Sequence, residues 1–191
     1  MSTRERLIDA TRELLWERGY SATSPRDILD RADVGQGSMY HHFSGKAALA
    51  LAVIEGNRDA MISAGEDALG GSGTAFERIS GYLLRDRDAL KGCKMGRLTE
   101  DSEVMENDAL RQPVHETLLW YRERLTALLE EGQRDGEFRA SFVPANVAAA
   151  IVATLQGGYV LAKADNSVAP YSAAIAGVLE LLAAQRVDSG S

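Results

Sequence analysis

Apolar positions recur at spacings of three and four through most of the chain, and no segment sustains the period-two alternation of a strand. Leu7, Ile8, Thr11, Leu14 and Leu15 form the first stripe. Ser2 with Glu5 reads as a capping box ahead of it and Gly19 as a stop behind it, so a helix is predicted from Thr3 to Arg18. Ser24 as cap, Pro25 at the first helical position and Asp27 at the third open a second helix, striped by Ile28, Leu29 and Ala32. Asp33-Val34-Gly35 breaks it, and a short third helix follows through Phe43 with Met39 and Phe43 turned inward. After a turn at Ser44-Gly45, Lys46 opens a long helix to Ala64. Its two apolar stripes, Ala47-Leu51-Ile54-Met61 and Leu49-Val53-Ala60, are the pattern of a connector packed from two directions.

Beyond it, Gly70-Gly71-Ser72-Gly73 is the most linker-like tract. Thr74 and Glu77 form another capping box, and Phe76, Ile79 and Leu83 begin a fifth helix. Residues 91–108 are irregular and acidic. Val114, Leu118, Tyr121, Leu125 and Leu128 then mark a clear helix, with Pro113 in its first turns and Gly132 and Gly136 expected to end it. Two last helices are predicted over Pro144–Ala164 and Ser167–Gln185. The fold reads as all-α, with about nine helices.

The second and third helices, joined by a tight turn, describe a helix-turn-helix. The residues left outward on the third, Gln36, Gly37, Ser38, Tyr40 and His41, are polar or small and include no carboxylate, which suits contact with an anion. Arg26-Asp27-Ile28, Ala32-Asp33-Val34-Gly35-Gln36-Gly37-Ser38-Met39-Tyr40-His41-His42-Phe43 and Lys46-Ala47-Ala48-Leu49 together resemble the tetracycline-repressor (TetR) family of bacterial regulators. The match is close over the first quarter of the chain; the remainder agrees in length and helical character. Two positions depart from the family pattern: Asp33 stands where Gly is common, and Gly35 where Ser or Thr is common.

The resemblance implies a DNA-binding domain over residues 1–46 and a helical effector-binding and dimerisation domain over 47–191. By the same resemblance Gln36 reads a base edge and Gly37 allows close approach. Ser38, Tyr40, His41, His42 and Lys46 hold phosphates, and Ser24 and Arg26 add phosphate contacts from the second helix. Glutamine pairs naturally with adenine in the major groove. The implied function is a sequence-specific, dimeric, cytoplasmic transcriptional regulator: a repressor that a small molecule releases from a pseudo-palindromic operator. The competing class is a helical binding protein or enzyme with a vestigial DNA-binding head; salt-sensitive binding to specific duplex separates the two.

Charge modifies this picture without opposing it. The net charge of −7 lies wholly beyond residue 46, since residues 1–46 hold seven basic and seven acidic side chains. A neutral head on an acidic body binds phosphates through its facing surface. One cysteine rules out an internal disulfide framework. The charged N-terminus reads as no signal peptide, and the apolar run from Val147 to Ala162, broken by Thr154, Gln156 and two glycines, reads as a buried helix.

No catalytic, metal or cofactor site is expected. Adjacent His41 and His42 should point to different sides of their helix, His115 stands alone, Cys93 has no histidine near it, and the acidic run Glu100–Asp108 reads as solvated surface. The body carries two interaction signals. Phe76, Tyr82, Met95, Leu98, Trp120, Tyr121 and Tyr159, with His115 and Gln156 as polar fixing points, supply the walls expected of a pocket for an apolar or aromatic effector. Ile151, Leu155, Gly158, Tyr171, Ala174, Val178 and Leu181 mark the faces through which the last two helices should meet their mates across a two-fold axis.

Overall fold

A computed structural model describes residues 1–187; the last four positions of the predicted second domain lie outside the described residues. Among the described residues nine α-helices run in order: α1 Thr3–Arg18, α2 Pro25–Ala32, α3 Gln36–His42, α4 Lys46–Leu69, α5 Ala75–Leu83, α6 Ser102–Met105, α7 Asp108–Arg134, α8 Pro144–Asp165 and α9 Ala169–Ala183. A 3-10 turn at Gly96–Glu100 precedes α6, and among the described residues the only β-type pairing is an isolated bridge between Phe138 and Arg186.

The helix starts follow from local chemistry. Ser2, Ser24 and Thr74 each accept a hydrogen bond from the amide three residues on, and Glu5, Asp27 and Glu77 each accept one from the cap residue's own amide, which satisfies amides that no helical turn reaches. Two helices run past glycines: α4 exceeds its predicted end at Ala64, and α7 passes Gly132 but ends before Gly136. A Cβ on Gly65 would stand 2.5 Å from the Trp120 ring, and Gly132 lies directly against the Phe138 ring. Glycine is there for close packing, so α4 continues to Leu69 and α7 to Arg134. Pro113 is accommodated inside α7, where its carbonyl accepts from the Thr117 hydroxyl at 2.7 Å.

The helices form two compact units. The first comprises residues 1–61 and 93–117. Its core is Leu7, Ala10, Leu14, Ile28, Ala32, Met39, Phe43 and Leu49, with Ile8, Leu29, Val34, Ala48 and Ala52 packed against it. The second comprises residues 62–92 and the described chain from 118 to 187. There α8 and α9 pack along each other: Ile151, Leu155, Gly158 and Ala162 on one side meet Tyr171, Ile175 and Leu182 on the other. By length and composition α8 is apolar enough to cross a membrane, yet its inward stripe is buried against α9.

Candidate DNA-binding interface

The site begins with the turn after α2. Asp33 takes the left-handed conformation, φ 51° and ψ 55°, which aspartate tolerates better than most residues, and its amide closes the helix on Asp30 and Leu29. The departure from glycine therefore leaves the turn intact. Gly35 then starts α3 in extended geometry with no side-chain cap, and a Cβ there would meet nothing within 4 Å, so Ser or Thr would also fit.

Met39, fully buried, and Phe43 pin α3 into the core and thereby fix which face looks outward. Gln36, Gly37, Tyr40 (54% exposed), His41 and His42 are on that outer surface, with Ser38 half-buried beside them. Space beside Gly37 is open. The two histidines do not diverge as expected: their rings meet edge to face, centroids 5.0 Å apart. Among the described residues no cluster of His, Cys, Asp or Glu could hold a metal ion.

The flanking groups are more occupied than the sequence suggests. Ser24 spends its hydroxyl on Asp27, at 2.7 Å, and the Ser24 hydroxyl and amide hold the Asp27 carboxyl below its ordinary pKa. Arg26 is exposed and only loosely paired with Asp30 at 3.8 Å, so it is free to meet a phosphate. Lys46 lies over the Tyr20 ring, 3.8 Å from its centroid, and donates to the Tyr20 carbonyl at 2.9 Å.

One residue that sequence reasoning passed over holds this part together. Asp101, counted among the solvated acids, accepts from the Tyr20 and Ser21 amides, each at 2.8 Å, and from the Ser21 hydroxyl at 2.5 Å. Partial burial pushes its pKa up, but the hydrogen bonds from Ser21, Tyr20 and Val104 outweigh that and hold the carboxyl below its ordinary range. The Tyr20 peptide is thus gripped on both sides, its amide by Asp101 and its carbonyl by Lys46. No local signal marks Asp101, because its partners lie some eighty positions away.

Two family models match the chain: bacterial regulatory proteins of the tetR family over residues 7–53, and the tetracyclin repressor-like C-terminal domain over 75–178. The chain belongs to the TetR family. Among curated relatives, the transcriptional regulator AcuR of Cereibacter sphaeroides is 30% identical over 83% of this chain and 75% of its own. The HTH-type transcriptional repressor DhaR of a Mycobacterium species is 27% identical over 94% of this chain and 91% of its own. A TetR regulator from Chloroflexus aurantiacus has a solved structure that superposes with a TM-score of 0.87, at 25% identity, over 96% of each chain. This TetR-family chain is a sequence-specific, DNA-binding transcriptional repressor.

The residues expected to line an effector pocket divide between the two units. Met95 and Leu98 are buried in the first unit, where His115 is exposed. In the second, Tyr82 stacks on Tyr121 at 5.5 Å, and Trp120 meets Tyr121 edge-on at 4.9 Å. Phe76 instead lies under the Arg186 guanidinium, Tyr159 stacks on Tyr171 at 5.0 Å, and Gln156 is half-buried on α8.

The expected dimer residues also divide. Ile151, Leu155, Gly158 and Tyr171 are buried within the protomer, so they support the surface from beneath and have almost no area to give a partner. Ala174 and Val178 are half-buried, and Leu181 is 72% exposed. The outer row of α8 is Ala150, Ala153, Gly157, Val160 and Leu161, all exposed and all apolar or small.

Proposed function

We propose that this repressor, cytoplasmic and dimeric, grips a pseudo-palindromic operator with two copies of α3 and leaves it when an apolar or aromatic effector enters the helical body. The observation that carries the reading is the carboxylate-free outer surface Gln36–His42, set in place by buried Met39. Residues 1–46 form the reading head, and residues 47–191 take the effector and the partner. Gln36 reads a base, and Gly37 lets the backbone approach. Ser38, Tyr40, His41, His42 and Arg26 meet phosphates, Ser24 supports them by capping the start of α2 with its hydroxyl and amide both held on Asp27, and Lys46 acts as a phosphate contact that also braces Tyr20.

In the body, the Tyr82–Trp120–Tyr121 aromatic group is the best-supported wall of the effector site; Phe76, Met95, Leu98, His115, Gln156 and Tyr159 complete the set to be tested. The α8 and α9 surfaces, with Val178 and Leu181 at their centre, pair across the two-fold axis. A single seven-residue recognition helix spans too few bases to specify a useful site, which favours two copies. An effector that prefers the non-DNA conformation lowers operator affinity by the factor with which operator lowers effector affinity. The α4 helix, whose residues divide between the two units, is the proposed transmitter.

Two substitutions test the head. Gln36→Ala should cost about 1–3 kcal/mol at particular base positions and little elsewhere, as read by anisotropy titrations against single-base operator variants. Lys46→Ala should weaken binding to every duplex and flatten the salt dependence by about one phosphate contact. If Lys46→Ala changed base preference and left the salt slope alone, these roles would be misassigned. For the body, a thermal-shift screen followed by operator titration with each hit should find ligands that weaken binding; internal-site ligands that leave it unchanged at saturation would remove the release mechanism.

A further inference from the structure

We infer that the second unit carries a binding groove for an amphipathic carboxylate, lined by none of the effector-wall residues though it adjoins Tyr82, and away from the α8 outer row. The groove, of about 410 Å³, runs between the end of α5 with the chain that follows it and one side of α9. Its volume is that of a small-molecule site, and it contains none of the nine residues assigned to the effector pocket. Leu83, Ile175 and Leu179 line it, while Leu84 (67% exposed) and Val168 (53% exposed) present bare apolar surface at its sides.

Charge at one end decides the class of occupant. Arg85 and Arg87 both line the groove and both lie against the Tyr82 ring, at 5.7 and 4.9 Å from its centroid. Each donates to main-chain carbonyls only: Arg85 to Ala64 at 2.8 Å, and Arg87 to Tyr82, Leu83 and Arg85 at 2.6–3.1 Å. Neither has a carboxylate within 4.0 Å among the described residues, and Asp86, exposed at the same end, pairs with neither. Carbonyl dipoles offset part of two like charges held against one ring but not the net positive charge. A single carboxylate placed there would be drawn by both positive charges and accept from the guanidinium N–H groups that the carbonyls leave unused, with its apolar body along Leu83, Ile175 and Leu179. A second copy of this chain is the poorer occupant, since a two-fold contact centred on this groove would set the arginine pair against its own mate.

The test uses the operator-free full-length protein, with decanoate and decanol as probes below their micelle and solubility limits, read by isothermal calorimetry. One decanoate per protomer should bind at least tenfold tighter than decanol. Arg85→Gln should lower decanoate affinity about tenfold and leave decanol unchanged, whereas Ala176→Trp, which fills the groove, should abolish both while the protein sediments as wild type. Equal affinity for the two probes would overturn the proposal without reliance on any variant. So would binding that survives Ala176→Trp, or an Ala176→Trp protein that loses its dimer, which would mean that a second copy covers the groove. Operator is absent throughout, so failure here leaves operator release untouched.

Discussion

Asp101→Ala is expected to weaken operator binding about tenfold, although it removes a negative charge from a DNA-binding protein. The carboxylate holds the Tyr20 and Ser21 amides and the Ser21 hydroxyl, and so fixes the turn that leads into α2. Hydrogen bonds to a charged acceptor contribute about 1.5–3 kcal/mol when shielded. Asp101 is half-exposed and screened by water, so a total near 1–2 kcal/mol is the reasonable expectation. Charge alone predicts the opposite sign, because losing an acid near the head should strengthen attraction to phosphates. Glu100→Gln, which changes the same charge at an exposed neighbour, is the matched control and should bind as wild type or slightly tighter.

Hydrogen exchange gives a second readout: the Tyr20 and Ser21 amides should exchange faster in Asp101→Ala and stay protected in Glu100→Gln. The pH dependence has a defined sign. Because the folded carboxyl titrates below its ordinary value of 3.8, its contribution is fully present above that value. It is lost as pH falls through the lowered one. Wild-type binding with protected amides in Asp101→Ala would show the contact to be incidental.

Val178→Arg is the second large effect. Val178 lines an apolar groove of about 270 Å³ with Phe142, Val147, Ala150, Ile151, Leu181, Leu182 and Gln185. If the partner closes this surface, two-fold symmetry buries two unpaired guanidiniums at once. Burying one charge without its partner already costs about 3–5 kcal/mol. Sedimentation should then show monomer, or unfolded protein if the dimer is obligate, and operator affinity should collapse with the loss of the second reading helix. A folded, fully dimeric Val178→Arg protein would place the interface elsewhere.

What could be read from the sequence was local. The capping pairs Ser2–Glu5, Ser24–Asp27 and Thr74–Glu77 act within one turn, and all three stand where the residue types put them. The buried set Leu7, Leu14, Ile28, Met39 and Phe43 follows from helical spacing alone. Misreadings began where a partner is remote. Gly132 looks like a stop until Phe138 is seen against it, and the predicted end of α4 at Ala64 falls short because Gly65 packs on Trp120 within the helix. Asp101 looks like surface until Ser21 is beside it.

Periodicity has a similar limit in the last two helices. It finds the stripes of α8 and α9 but cannot say which stripe faces the protomer's own core. Ile151, Leu155 and Tyr171 proved to be that inner stripe, leaving Ala153, Gly157, Val160 and Leu161 outside.

Operator selection from a randomised duplex library with the purified protein tests the central claim most directly, followed by titration of the selected duplex and a shuffled one at two salt concentrations. The account predicts two inverted half-sites about one helical turn, or a multiple of it, apart. It also predicts binding to the selected duplex at least about a thousandfold tighter than to the shuffled one, with specificity lost at defined bases in Gln36→Ala. A selection that yields no consensus, with equal affinity for both duplexes at each salt concentration, would contradict it.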